Sequence, residues 1–186
     1  MRDQAREFAS GPVRYVPYVE PEPGAGKGLV EHLAARACVI VTDDYPAFFL
    51  PRAVAAAASR VSVRVEAVDG NGIFPMRATT RVFTTAHSFR AFLQKQLPPH
   101  LAAAPSPAPL RGLRLPELSG DPLEGTRWQA YDTSLSIADT VGALPIDAGV
   151  GAVETRGGAR AGERVMSRLF EDRLARYAED RNDPEH

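Results

Sequence analysis

Ala37 to Pro46 reads ACVIVTDDYP, and the fold is decided on how this stretch is read. Cys38, Val39, Ile40 and Val41 form a short unbroken apolar run. A run of that length without polar alternation suits a strand covered on both faces, as in a parallel α/β sheet. Thr42, Asp43 and Asp44 stop it with residues that favour turns and helix caps. In parallel sheets ligands sit at the carboxyl ends of the strands, so TDDYP is a first place to look for a site. Helix capping is the expected work of Asp43 and Asp44, with a metal or a ribose as the sharper alternative.

On either side the pattern alternates between strand and helix. Arg2 to Ala9 reads as the end of a helix closed by Ser10-Gly11-Pro12. A chain that opens on a helix end leads one to expect further structure upstream. Val13 to Val19 is β-branched and aromatic, a strand that Pro17 makes short or places at an edge. Leu29, Val30, Leu33 and Ala34 share one face of a helix over 29–36. The alanine-rich stretch Phe48 to Ser59 is a helix by propensity, with Pro46 suited to its first turn and Pro51 less so. VSVRVEAV, Val61 to Val68, alternates with period two and is a strand; Asp69-Gly70-Asn71-Gly72 turns it. Thr85 to Leu97 sets Phe89, Phe92 and Leu93 at helical spacing, as core residues.

Pro98 to about Pro122 has no periodicity and reads as a linker. A short helix near Ser134 to Val141 comes next, then a glycine-rich loop. Gly162 to Asp180 reads as one long amphipathic helix with Val165, Leu169, Leu174 and Tyr177 on its stripe. With no partner element after it, that helix is expected to open a further helical region. The fold class is therefore α/β, a Rossmann-like parallel sheet with helices on both faces.

Several function classes fall away. The formal net charge is −1, so no global basic field advertises nucleic acid. The single cysteine, Cys38, allows no internal disulfide and is expected as a small buried hydrophobe in a reducing cytoplasm. No stretch reaches the ~18 apolar residues of a membrane span, and MRDQAREFAS does not read as a signal peptide. His32, His87, His100 and His186 are scattered, and none has a partner at metal-ligand spacing. PEPGAGKG is not a phosphate loop, because Pro21 stands five before Gly26 and Gly28 comes directly after Lys27.

Four segments together carry a resemblance: VIVTDDYP, VRVEAVDGNGIFP, AHSFRAFLQKQLPPHL and RLARYAEDRNDP, in this order and spacing. The chain resembles the photolyase/cryptochrome family, most of all deoxyribodipyrimidine photolyases of the class II-like bacterial kind. The resemblance implies an antenna-type α/β domain over 1–103, N-terminally incomplete with its first strands missing. An interdomain linker over 104–160 and the first helix of an all-α FAD domain over 161–186 would come after it. It implies a light-driven lyase that splits cyclobutane pyrimidine dimers in UV-damaged DNA by electron transfer from reduced FAD. An antenna chromophore (deazaflavin, folate or flavin) would belong to the α/β part, and the protein would be monomeric. The family pattern Tyr-x-x-x-Arg falls on Tyr177 and Arg181, implying that Tyr177 lies against FAD and Arg181 approaches DNA phosphate. The family's FAD-phosphate loop would come after Pro184, so the chain by itself is expected to be inactive. The alternatives are a free-standing antenna module, with its pigment near Tyr45 and Asn71, a cryptochrome-like photoreceptor fragment, or a degenerate product without activity.

Overall fold

The computed structural model describes residues 1–102, 105–147 and 149–183. In chain order, the helices α1 (Arg2–Phe8) and α2 (Leu29–Ala34) precede the strand β1 (Val39–Asp43). The helix α3 (Leu50–Ala58) connects β1 to β2 (Arg64–Val68). A 3₁₀ turn (Met76–Ala78), α4 (Ala86–Gln96), α5 (Pro98–Leu101), α6 (Ile137–Gly142), α7 (Ala159–Arg168) and α8 (Tyr177–Asp180) complete the order. Between α7 and α8 run a π turn (Leu169–Arg173) and a 3₁₀ turn (Leu174–Arg176). No helix among the described residues is long and apolar enough to cross a membrane.

The chain divides into two units. One is Gly26–Arg111; the other joins Met1–Ala25 to the chain from Gly112 onward.

The first unit is built on the predicted strands. β1 and β2 pair in parallel, with Val39 opposite Arg64 and Asp43 opposite Val68. Parallel neighbours need a crossover, and the alanine-rich α3 supplies it. Pro51 sits in the first turn of α3, where no backbone N–H is required. The helix start thus belongs to Pro51, and Pro46 lies outside. Thr85 caps α4, its side chain accepting from the Ser88 N–H at 3.2 Å. The α4 aromatic face is a cluster: Phe92 meets Phe74 at 5.9 Å and Phe83 at 5.0 Å between ring centroids, and His100 sits edge-on to Phe74 at 5.2 Å. Phe92 holds the middle of this cluster, whereas Phe89 packs on Phe83 at 5.3 Å and stays exposed.

The architecture is α/β in this coarse sense, a two-stranded parallel sheet with helices. Three expectations are corrected. β1 is not covered on both faces: Val41 is 61% exposed, and Val39 and Val68 are exposed as well. A two-stranded sheet offers only one pairing edge to each strand, and here no helix layer closes both faces. Cys38 is exposed, not buried, because it lies just before that uncovered strand. Val13–Val19 forms no strand; Pro17 has no N–H to give a ladder, and its carbonyl instead accepts from the Tyr131 N–H at 2.8 Å.

In the second unit the N-terminal segment is tied to the segment after the linker. The Trp128 indole N–H donates to the Ala25 carbonyl at 2.9 Å. The Arg14 guanidinium donates to the Gly120 carbonyl. Phe8 stacks on Tyr15 at 5.7 Å. Leu123 is buried here and Ala34 in the other unit, and these are the only buried hydrophobic residues among those described. The long C-terminal helix expected from the sequence is one helical path, but it changes pitch at Leu169 and Leu174 rather than running as a single α-helix. A π turn holds more residues per turn than an α turn, so it sets α8 at a different rotation from the one an unbroken α-helix would give.

Candidate functional site

The residues singled out by the resemblance, Tyr177 and Arg181, come together at the end of that helical path. Tyr177 opens α8 and Arg181 closes it, the Arg181 N–H donating to the Tyr177 carbonyl at 3.1 Å. One helical turn therefore puts both on one side. They line an open concavity of about 310 Å³ shared with Leu169, Arg173, Arg176, Asp180 and Asp183. The π and 3₁₀ turns bring Arg173 and Arg176 to this wall, which the apolar-stripe reading of the sequence did not foresee. Arg176 pairs with Asp180 at 3.6 Å. Arg173 and Arg181 make no ion pair among the described residues. The Tyr177 side is 52% exposed. An exposed aromatic face beside two guanidinium forks is suited to a flat ring carrying phosphate or to a phosphodiester.

A second polar cluster stands at the carboxyl ends of β1 and β2. Here the structure corrects the capping reading of TDDYP. The first residue of α3 is preceded by Phe49, which offers no side-chain cap. Asp44 instead takes both Nε and Nη2 of Arg77 on its Oδ2, at 2.9 and 2.7 Å. The Asp44 N–H extends the ladder to the Val68 carbonyl at 2.8 Å. Asn71 Nδ2 donates to the Asp44 carbonyl at 2.8 Å and to Asp69 Oδ1 at 3.1 Å. Asp69 Oδ2 accepts from the Met76 N–H at 2.6 Å. These bonds lock the turn after β2 onto the end of β1. The Met76 N–H, and after it Asn71, holds the Asp69 carboxyl below its ordinary value of 3.8. The hydrogen bond that Arg77 donates to Asp44 raises its guanidinium pKa above its ordinary value. Tyr45, next to Asp44, is exposed.

Sequence reasoning placed Asn71 in a turn and missed Asp69 and Arg77 as its fasteners. The signal was present for Asp69, since an Asp two residues before Asn in a Gly-rich turn is an Asx-turn pattern. For Arg77 there was none, because it meets Asp44 only through the parallel register. His32, His87 and His100 remain apart from one another, and His186 lies outside the described residues. Among the described residues no group of His, Cys, Asp or Glu could hold a metal ion. The loop at Gly24–Gly28 serves α2: Gly28, at φ 90°, is its N-cap.

No family model, curated protein or solved structure matches the chain.

Proposed function

We propose that the chain is part of a light-driven DNA repair enzyme of the photolyase/cryptochrome kind. What carries the reading is the meeting of Tyr177 and Arg181 at one concavity with Arg173, where the motif resemblance places flavin and phosphate contacts. The α/β part with its crossover helix agrees with an antenna-type domain. The finer Rossmann-like arrangement, and the role of α7 onward as the opening of a helical FAD domain, belong to this proposal.

Reduced, light-excited FAD supplies the one-electron chemistry that splits a cyclobutane pyrimidine dimer and recovers the electron. The chain's own contribution is to bind and orient. The exposed ring of Tyr177 offers a flat apolar contact to the cofactor. Arg181 offers its fork to a DNA phosphate oxygen, and Arg173 adds positive field at the same wall. A concavity of about 310 Å³ is at the lower end for a ligand pocket and takes only a part of a dinucleotide. The 186-residue chain by itself is therefore expected neither to retain FAD nor to split dimers.

The test reads the DNA on both sides of the coding segment and expresses the whole frame found there. The expected product is yellow and removes dimers from UV-irradiated oligothymidylate in blue light but not in the dark. Tyr177→Ala lowers its flavin content, and Arg181→Ala weakens DNA binding with flavin retained. A colourless product, or repair that proceeds equally in the dark, sinks the proposal.

A second reading is favoured by the polar cluster at the strand ends: a free-standing antenna-type module that holds a flavin or deazaflavin near Tyr45 and Asn71. A visible absorption band that stays with the purified 186-residue chain, and is lost in Asn71→Ala, supports it. A colourless chain removes it.

A further inference from the structure

The chain leaves uncovered far more surface than a finished domain of its mass. Its accessible area is 15572 Å², against roughly 8,700 Å² expected of a folded monomer of 20.1 kDa. The difference exceeds the ~2,000–5,000 Å² that obligate partners bury together. We propose that the helical path from α7 to α8 is a docking surface for a second copy of this chain, set antiparallel about a two-fold axis.

Two further observations choose the place and the partner. The first is an apolar stripe left open to solvent. Val165 and Leu169 stand at i and i+4, as do Met166 and Phe170, so the four share one face. Leu174 and Tyr177 carry apolar side chains on toward α8. Val165, Met166, Phe170, Leu174 and Tyr177 are exposed, and Leu169 is half-buried. The path over 159–180 is about 33 Å long at helical rise, long enough for a second helix to pack its ridges along it. Scattered single apolar residues need no explanation, but a contiguous exposed stripe marks an interaction surface.

The second observation is the order of charge along the path. The α7 half carries Arg160, Arg164 and Arg168 against Glu163 alone. The half from Leu169 to Asp180 carries Glu171, Asp172, Glu179 and Asp180 against Arg173 and Arg176. Among the described residues Arg176 pairs with Asp180, and the other charges on the path make no ion pair. Two copies laid in the same direction would set like charge against like. Turned end for end, they set the basic half of each on the acidic half of the other, and a two-fold axis makes both contacts at once. Exposed charge pairs contribute little affinity each; the apolar stripe supplies the binding and the charges choose the direction. An anionic lipid surface, the other occupant of an arginine-bearing amphipathic helix, would repel the acidic half. This pairing goes beyond the repair reading. There further helices of the whole frame close the stripe; in the 186-residue chain, which is expected to hold no flavin, a second copy closes it.

The test is sedimentation velocity on the 186-residue chain carrying Val41→Lys, which keeps pairing through the sheet out of the reading. A dimer is expected, because a two-fold contact closes on itself. Phe170→Asp, in the middle of the stripe, should give a monomer with an unchanged circular dichroism spectrum. Arg164→Glu with Arg168→Glu makes both halves of the path acidic; Glu171→Arg with Asp172→Arg makes both basic. Each of these double variants should dissociate at least about tenfold more readily than its parent, and an equimolar mixture of the two should recover the dimer. A monomer at about 100 μM overturns the proposal. So does a dimer that survives Phe170→Asp, a double variant as dimeric as its parent, or a mixture as dissociated as its components. Should Phe170→Asp fail to fold, the mixture of the charge-reversed variants decides. Flavin is read on the whole frame and association on the 186-residue chain, so failure here leaves the repair reading standing.

Discussion

Phe48 takes up a left-handed backbone conformation with little packing to show for it. Its φ is +58°, the only positive value outside glycine among the described residues, and its side chain is 87% exposed. A bulky residue in the left-handed region costs on the order of 1–3 kcal/mol, and exposed packing repays little of that. Phe48→Gly is therefore expected to stabilise the chain by about 1 kcal/mol, after the greater freedom of glycine in the unfolded state is subtracted; urea denaturation measures it. A loss of stability would mean that the ring is held by contacts the exposure does not reveal. Asp69 supports a different prediction. Its carboxyl is held below its ordinary value of 3.8 by the Met76 N–H and then by Asn71. The folded state thus binds fewer protons there than the unfolded state. The stability it contributes is complete above the unfolded value and is lost as pH falls through the folded one. Asp69→Asn should flatten the acid limb of the stability profile below about pH 4, with the thermal midpoint measured across pH. An unchanged acid limb refutes the assignment.

Among the elements, α4 and the α7–α8 path show how far local sequence reaches. The spacing of Phe89, Phe92 and Leu93 announces α4, and the structure adds its cap, the Thr85 side chain accepting from the Ser88 N–H. Thr85→Ala should cost about 1 kcal/mol in unfolding free energy, and Thr85→Ser should restore most of it. Equal stability of the alanine and serine variants would show that the cap contributes nothing. The C-terminal path was legible as helical and amphipathic but not in its pitch. A π turn comes from how the backbone accommodates five residues, Leu169 to Arg173, and no residue type in LFEDR dictates it. Yet that turn brings Arg173 and Arg176 to the wall that Tyr177 and Arg181 occupy. Tyr177 and Arg181 were singled out by the resemblance alone, and their common face follows from any i, i+4 spacing in a helix; the company they keep was not readable.

At the scale of the whole molecule, exposed apolar surface dominates. Val39 and Val41 on β1 and Val68 on β2 are exposed, and so are Val165, Phe170 and Leu174 on the C-terminal path. Parallel sheets are ordinarily covered on both faces, and open strand edges invite pairing with other chains. The chain is expected to enhance and blue-shift the fluorescence of an apolar dye such as anilinonaphthalene sulfonate at neutral pH. Val41→Lys should lower that signal and reduce self-association in light scattering, without lowering the thermal midpoint. A drop in midpoint would show that Val41 is packed in solution.

The sequence by itself determined the two parallel strands, the crossover helix between them and the helix after Thr85. Each is written in short-range terms: an apolar run, a period of two, an alanine stretch, apolar residues at helical spacing. Only the tertiary structure decided that Val13–Val19 is no strand and that Asp44 binds Arg77 rather than capping a helix. Those outcomes depend on residues far apart in the chain, Pro17 with Tyr131 and Asp44 with Arg77. A strand pattern describes what a segment can bury; whether anything arrives to cover it is settled by the rest of the molecule.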